Sequence, residues 1–352
     1  MLDASLFSAA PDAGGLTYPS LELPASGAST CIAPGLHWIR MPLPIELDHI
    51  NLWLLEHEQG FILIDTGLAA EACRTAWEQL ERGPLRDRPL RLIVLTHLHP
   101  DHTGLAAWLQ ARHGAAVWTA EHTERQMRAL IEPASDERLR ARREFLRAHG
   151  LEVSETLSAS LSGAGYRASV SGVPRVDQHP REPQEVRWGG RSWRWLETDG
   201  HALGHLCLHA PESALLICGD QLLPTISPNV SLILPEEDPN PLAAFLDSLE
   251  RLATLDPATL VLPSHGRPFV GIGARARELR KHHERQLTQA LEACSEPRTA
   301  HETLRFLFRR RLTGFHLLLA LGEAIAHLEY LYRMGSLERA TGADGLIRYA
   351  RR

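Results

Sequence analysis

A chain of 352 residues is long enough for one large domain and a smaller one, and its formal net charge of −6 argues against a general nucleic-acid binder. Hydrophobic residues make up 44% of the chain and charged residues 23%, which is ordinary for a soluble globular protein. The 19 histidines exceed what a chain of this size usually carries, so metal chemistry is a hypothesis to test.

Cysteine usage and apolar runs indicate where the protein works. The five cysteines include no CxxC pair and their number is odd, which favours reduced thiols. The start, "MLDASLFSAAPDAGG", lacks a basic segment followed by an apolar stretch and does not resemble a signal peptide. The most apolar run, "FHLLLALGEAIAHLEYLY", is interrupted by Glu323, His327 and Glu329. We expect a cytoplasmic protein that does not span a membrane.

The first half of the chain predicts alternating strands and helices. Residues 1–34 are rich in Ala, Gly, Ser and Pro and predict a loosely ordered lead-in. Strands are predicted in "LHWIRMPLP", "HINLWLLEH" and "FILIDTG", followed by a helix in "AAEACRTAWEQLERG" that ends at Gly83. "LRLIVLT" predicts a buried strand, "TGLAAWLQARHG" a helix and "AAVWTA" another strand. This alternation predicts an α/β layered fold.

The second half adds an insertion and a helical end. Residues 121–164 are mostly charged helix, and this insertion is as compatible with a solvated helical pair as with a gate for substrate. Two hairpins are predicted in "EVRWGGRSWRWLET" and "LCLHAPESALLICGD", then a helix in "NPLAAFLDSLERLATL" and a strand in "TLVLPSHG". Helices and a short hairpin follow. We therefore expect a catalytic domain over residues 35–270 and a C-terminal domain over residues 271–352.

The segment "THLHPDHTG" follows a predicted buried strand and concentrates possible metal ligands. His97 and His99 are two residues apart, so in an extended segment their side chains leave on the same side. Asp101 and His102 lie where the chain turns into a helix and leave in another direction. This pattern suits two adjacent ions. The alternative is that Asp101 caps the helix and the histidines form a polar loop surface.

Three further candidates lie at the ends of predicted strands. They are His201 in "TDGHALGH", Asp220 in "LLICGDQ" and His265 in "LVLPSHG". Each lies close to a glycine, which lets the backbone approach a metal closely. With the first cluster they supply enough imidazoles and carboxylates for two ions that share a bridging carboxylate.

The ordered motifs HxHxDH, GH, GD and SHG, with "LIDTG" and its Asp65 upstream, resemble the metallo-β-lactamase superfamily over residues 36–270. The resemblance implies an αββα sandwich, of mixed α/β class, with the metals at one edge. The C-terminal region resembles, more loosely, the winged-helix-like appendage of some glyoxalase II-like members. Antibiotic-hydrolysing members often carry cysteine where this chain has Asp220, which favours the glyoxalase II-like and lactonase-like branches instead.

The resemblance also implies roles for individual residues. One ion would be held by His97, His99 and His201, the other by Asp101, His102 and His265, and Asp220 would bridge the two. Asp65 would orient a ligand by hydrogen bonding. His205 is either a ligand or, as we prefer because the site is full without it, a pocket residue. Zn²⁺ is the expected metal, with Fe and Mn as alternatives. For Asp48, His49 and Asn51, a structural role is at least as compatible with the sequence as substrate contact.

Two bound divalent ions predict hydrolysis by a bridging hydroxide, with Asp101 orienting the nucleophile and passing a proton to the leaving group. We expect cleavage of a thioester, lactone or related ester. The ions would leave the site slightly positive, so the expected partner is an anionic or acyl-bearing small molecule, with no membrane partner; a homodimer stays open.

Two other activities are alternatives. One is a phosphodiesterase or ribonuclease, for which "LFRRRL" (Arg309, Arg310 and Arg311) offers a basic patch, although the acidic chain favours a solvated helix face. The other is an iron-dependent sulfur dioxygenase.

Overall fold

The computed structural model describes residues 10–44, 47–154, 157, 161–234, 240–309 and 312–352. Parts of three sequence predictions lie outside these residues. They are the first nine residues of the lead-in, most of residues 155–160 in the insertion, and Arg310 and Arg311 of the basic run.

The first sheet contains six strands in sequential order. They are β1 (Ser29–Ala33), β2 (Leu36–Pro42), β3 (His49–His57), β4 (Gly60–Ile64), β5 (Leu90–Val94) and β6 (Ala116–Trp118). Strands β1 to β4 pair antiparallel, whereas β4, β5 and β6 are parallel. The parallel pairs require crossover helices. These are α1 (Glu71–Arg82), the short α2 (Pro100–Thr103) and α3 (Ala106–His113).

The second sheet also contains six strands, in the reverse order along the sheet. They are β7 (Glu185–Trp188), β8 (Arg191–Thr198), β9 (His205–Ala210), β10 (Leu215–Gly219), β11 (Leu260–Pro263) and β12 (Phe269–Val270). Only β10 and β11 among these pair in parallel, and helix α7 (Pro241–Ala253) lies between them in the chain.

The two sheets pack face to face because their strands carry apolar residues on both sides. In β3, Trp53 and Leu55 contribute to the core between the sheets, whereas Leu52 and Leu54 pack beneath α1 and α3. Helix α1 buries Cys73, Ala76, Trp77 and Leu80, the spacing of one helical face. On the far side, α7 covers the second sheet together with α8 (Ile272–Ala293). The predicted αββα sandwich is confirmed.

The insertion and the C-terminal region share one apolar core. The insertion contains α4 (Glu121–Ile131), α5 (Asp136–Ala148) and α6 (Ala164–Ser169), and the C-terminal region continues after α8 with α9 (Ala300–Leu307), α10 (Gly314–Arg333), β13 (Leu337–Thr341) and β14 (Ile347–Arg351). Leu146 at the end of α5 belongs to the same buried cluster as Leu321 of α10 and Tyr349 of β14. The insertion is therefore held against the C-terminal helices.

The described part of the lead-in differs from the expected loose order. Strand β1 pairs with β2, Leu16 is buried in the core beneath α8, and Thr17 forms a β-bridge with Val270. These short apolar segments lie among many Ala, Gly and Pro residues, so the sequence did not indicate that they pair or pack. The domain boundary near residue 270 stays a prediction. Within the described residues, no helix has the length and apolar character needed to cross a bilayer.

Candidate metal centre

The loops at one edge of the sandwich bring the predicted ligands together. His97 and His99 follow β5, Asp220 follows β10 and His265 follows β11. His201 lies in the loop between β8 and β9. Because strand ends from both sheets meet here, residues separated by more than a hundred positions in the sequence become neighbours.

Four side chains converge in a first group. Nε2 of His97 lies 2.9 Å from Nδ1 of His99, and Nε2 of His201 lies 3.3 Å and 3.1 Å from those two atoms. Oδ2 of Asp220 lies 3.5 Å from Nε2 of His201. One ligand atom from each of the four residues falls within 4.8 Å of the others.

A second group contains Asp101, His102 and His265. Oδ2 of Asp101 lies 3.3 Å from Nε2 of His265 and 3.7 Å from Nε2 of His102. Oδ1 of Asp220 lies 3.5 Å from each of these two imidazole nitrogens. The carboxylate of Asp220 therefore faces both groups, with one oxygen toward each.

Hydrogen bonds behind the imidazoles fix which nitrogen faces the centre. Nδ1 of His201 lies 2.9 Å from the carbonyl oxygen of Asn229, and Nδ1 of His265 lies 2.8 Å from the carbonyl oxygen of His49. A carbonyl only accepts, so each Nδ1 carries a proton and Nε2 is the ring nitrogen left to face a metal. This is the arrangement that orients histidine ligands in metal sites.

Asp65 holds His102 in the same way. Its Oδ2 lies 2.8 Å from Nδ1 of His102, and its Oδ1 accepts a hydrogen bond of 2.8 Å from the backbone N–H of Thr96. Asp65 has a φ of 62°, a left-handed conformation that Asp and Asn tolerate better than most residues. The backbone turn after β4 thus aims a buried carboxylate at the imidazole of His102.

His205 contacts the backbone beside Asp220 rather than the centre of either group. Its Nε2 accepts a hydrogen bond of 3.2 Å from the backbone N–H of Asp220, and its Nδ1 lies 2.9 Å from Oγ1 of Thr198. Gly219, with a φ of 51°, leaves room for this ring, because an added Cβ would lie 2.5 Å from Nε2 of His205. His205 therefore supports the position of Asp220.

The residues near the start of β3 support the loop that carries His265. Asn51 is fully buried, and its amide nitrogen donates to the carbonyl oxygens of Pro263 and Gly266 at 2.9 Å and 2.8 Å. Nε2 of His49 accepts from the N–H of Gly266 at 3.0 Å, and Asp48 contacts the other ring nitrogen of His49. These contacts give Asn51 and His49 structural roles.

Burial and carboxylates divide the imidazoles into two electrostatic kinds. Burial lowers the pKa of His99 to about 3 and the pKa of His97 well below its usual range, so both are neutral near pH 7. Burial also acts to lower the pKa of His265. The carboxylates of Asp220 and Asp101 outweigh this effect and raise the pKa to about 10. The pKa of His102 is likewise opposed by burial, but Asp65, Asp220 and Asp101 hold it well above its usual value. The carboxylates thus attract positive charge to the second group.

The residues present fit divalent cations. Nε2 of His102 and Oδ1 of Asp220 are buried and have no hydrogen-bond partner among the described residues. Buried polar atoms are normally satisfied, so two orphan ligand atoms that face each other indicate a missing partner. Imidazole nitrogen and carboxylate oxygen are the donors that zinc, iron and manganese accept.

A search of solved structures supports the fold over nearly the whole chain. The crystal structure of a beta-lactamase domain protein from Burkholderia ambifaria is 39% identical and superposes with a TM-score of 0.86. The similarity covers 96% of this chain and 98% of that one.

Two curated relatives extend the comparison to named enzymes. "Probable metallo-hydrolase YqjP" of Bacillus subtilis (strain 168) is 28% identical over 300 residues, which span 83% of this chain and 91% of the relative. A hydroxyacylglutathione hydrolase of Cereibacter sphaeroides is 30% identical over 229 residues, 63% of this chain and 67% of the relative. These relatives confirm the expectation of an enzyme of the hydrolase class.

Family models cover most of the chain in two matches. Residues 45–265 match the model of the metallo-beta-lactamase superfamily. Residues 287–352 match the model of the metallo-beta-lactamase-like C-terminal domain. The first match contains every predicted ligand and more than half of the chain. The chain therefore belongs to the metallo-β-lactamase superfamily.

Proposed function

We propose that this protein is a dinuclear metal-dependent hydrolase that cleaves a thioester, a lactone or a related ester. The observation that carries the proposal is the position of Asp220, whose two carboxylate oxygens each lie 3.5 Å from imidazole nitrogens of a different ligand group. A single ion would need only one of the two ligand groups. A carboxylate that lies between two complete ligand groups is suited to bridge two ions.

The seven ligands divide as the geometry suggests. One ion would be held by His97, His99 and His201, the second by Asp101, His102 and His265, and both by Asp220. When bound, two such ions supply Lewis acidity and activate water at neutral pH. The protein contributes rigidity, because Asp65, His49 and Asn229 hold three of the imidazoles from behind.

Asp101 is the residue best placed to move a proton. Burial raises its pKa, but His102 and His265 lower it to about 2, so it is a carboxylate at neutral pH. Its Oδ2 faces the second ligand group at 3.3 Å from His265. From there it can orient the attacking water, accept its proton and deliver that proton to the departing thiolate or alkoxide.

Two features favour an acyl substrate. Asp220 stands where antibiotic-hydrolysing members often carry cysteine, which argues against β-lactams as substrates. The curated relative hydroxyacylglutathione hydrolase is named for a thioester substrate, and the match covers 63% of this chain. We extend that substrate class, but not that particular substrate, to this protein.

A metal-defined activity panel tests the proposal. The apoprotein is loaded separately with Zn²⁺, Fe²⁺ and Mn²⁺ and assayed with thioesters, lactones, β-lactams and phosphodiesters, with Asp101→Ala as the control. We expect thioester or lactone turnover that falls more than about 100-fold in Asp101→Ala. Phosphodiester turnover without ester turnover would favour the nuclease alternative. Oxygen consumption confined to the iron form would favour the sulfur dioxygenase alternative.

A further inference from the structure

A cavity of about 370 Å³ opens beside the first ligand group. His99 and His201 form part of its wall, so a molecule bound there reaches the candidate metal centre. The insertion contributes three arginines to the lining, Arg125 of α4 and Arg138 and Arg142 of α5.

Arg125 is the arginine of this lining for which no carboxylate partner is found among the described residues. Among the described residues that line the cavity, none is an aspartate or a glutamate. Arg125 donates to Nδ1 of His122, and no described carboxylate forms an ion pair with it. Arg128, one turn further along the same helix, is instead paired with Glu124 at 2.7 Å. Arg125 thus keeps its positive charge for the cavity.

Much of the remaining lining is apolar. It includes Leu98, Leu130, Ala202, Leu203 and Pro241. Gln126 adds one polar group, since its buried Oε1 has no hydrogen-bond partner among the described residues. Pockets that combine an apolar surface with a few fixed polar groups use the polar groups to orient the ligand.

We propose that Arg125 binds an oxyanion of the substrate, a carboxylate or a phosphate, while the apolar surface takes the adjacent carbon chain. This inference rests on the proposed hydrolase function and names its substrate class: an ester or thioester with an anionic group. Guanidinium groups suit both oxyanions because their N–H groups match the geometry of paired oxygens. The insertion then determines specificity rather than forming only a solvated helical pair.

Paired thioester probes test the inference. S-acetyl mercaptoacetate and S-acetyl mercaptoacetamide differ by a charge on the thiol side, and S-succinyl and S-succinamoyl mercaptoethanol differ by a charge on the acyl side. S-acetyl mercaptoethyl phosphate distinguishes phosphate from carboxylate. For each pair, kcat/KM of the metal-loaded enzyme is measured for the wild type, Arg125→Gln, Arg125→Lys and the matched control Arg128→Gln.

We expect the wild type to prefer the anionic member of at least one pair by about tenfold or more, the scale of one charge-assisted hydrogen bond. Arg125→Gln should reduce that ratio about tenfold, mainly through KM, whereas Arg125→Lys should restore part of it and Arg128→Gln should leave it intact. The inference is overturned if no pair shows a preference, or if Arg125→Gln and Arg128→Gln change the ratio equally.

The same data separate this inference from the proposed function. Turnover of neutral thioesters without any anion preference contradicts the anion site alone. A metal-loaded wild type that hydrolyses neither charged nor neutral esters contradicts the hydrolase proposal itself.

Discussion

Asp65 shows how much a single buried carboxylate does at this centre. It lies at a left-handed φ of 62°, accepts from Thr96 and holds Nδ1 of His102 at 2.8 Å. Replacement by asparagine keeps the backbone conformation accessible but removes the charge and one acceptor oxygen. The substitution therefore tests what the charge of Asp65 contributes to holding His102 without changing the backbone conformation.

We expect Asp65→Asn to fold but to lose about 10- to 100-fold in metal affinity or kcat/KM, the usual cost of losing a partner behind a histidine ligand. Metal affinity is measured by competition with a chelator, and activity in parallel. Asp256→Asn, an exposed carboxylate that caps the turn to Ala258, is the matched control. Equal metal affinity in Asp65→Asn and the wild type would contradict the role given to Asp65.

The sequence predicted the candidate ligands of the centre but only one of the residues behind them, Asp65. His97, His99, Asp101 and His102 lie within six consecutive residues, so their residue types and spacing were sufficient to predict a cluster. Thr198 and the carbonyl of Asn229 contact His205 and His201 only after folding, and nothing in their local sequence indicates this. Thr96 ends the predicted buried strand "LRLIVLT", but its local sequence does not indicate the hydrogen bond to Asp65 either.

At the scale of elements, buried strands were predictable and short edge strands were not. Strand β3 carries apolar residues on both faces, which marks a strand covered on two sides. Strands β1 and β12 lie at the outer edges of the two sheets, and β12 contains only two residues. Their pairing depends on partners elsewhere in the chain, so local composition left β1 within a predicted lead-in.

Helix α10 offers a test of burial through pH. Burial raises the pKa of Glu323 on this helix to about 7, whereas the unfolded value is near 4.5. The folded state therefore holds the proton more tightly, and the wild type loses stability as pH rises from about 4.5 to about 7. This loss of stability is complete above the pKa of the folded state and absent below the pKa of the unfolded state.

Glu323→Gln removes this titration. The stability of the variant minus that of the wild type should therefore be ~1–2 kcal/mol larger at pH 8 than at pH 5. One pKa unit corresponds to about 1.4 kcal/mol, and the expected difference is kept small because the side chain is only partly buried. Urea unfolding of both proteins at the two pH values measures the difference. An identical stability difference at both pH values would refute the buried titration.

At the scale of the whole molecule, the insertion and the C-terminal region depend on one another. Tyr349 of β14 is fully buried, and its hydroxyl donates to Oε1 of Glu329 at 2.6 Å. Leu146 of α5 belongs to the same core. Because α5 also forms part of the cavity wall, the C-terminal core supports the proposed anion site from a distance.

We expect Tyr349→Ala to cost about 3–5 kcal/mol, as for other large buried aromatics, and to speed amide hydrogen exchange in α5 as well as in α10. Phe315→Ala is the control, because Phe315 is 61% exposed on α10. Hydrogen exchange followed by mass spectrometry measures both helices in one experiment. Faster exchange in α10 with unchanged α5 would mean that the two regions are independent.

The two-metal centre is tested most directly by counting metal ions per chain. Mass-spectrometric metal analysis of the protein purified from metal-supplemented growth should give two equivalents for the wild type. Asp101→Ala and His102→Ala should each give about one equivalent and lose more than about 100-fold in ester turnover, because each removes a ligand from the second group. Full metal content and full activity in both variants would contradict the dinuclear centre.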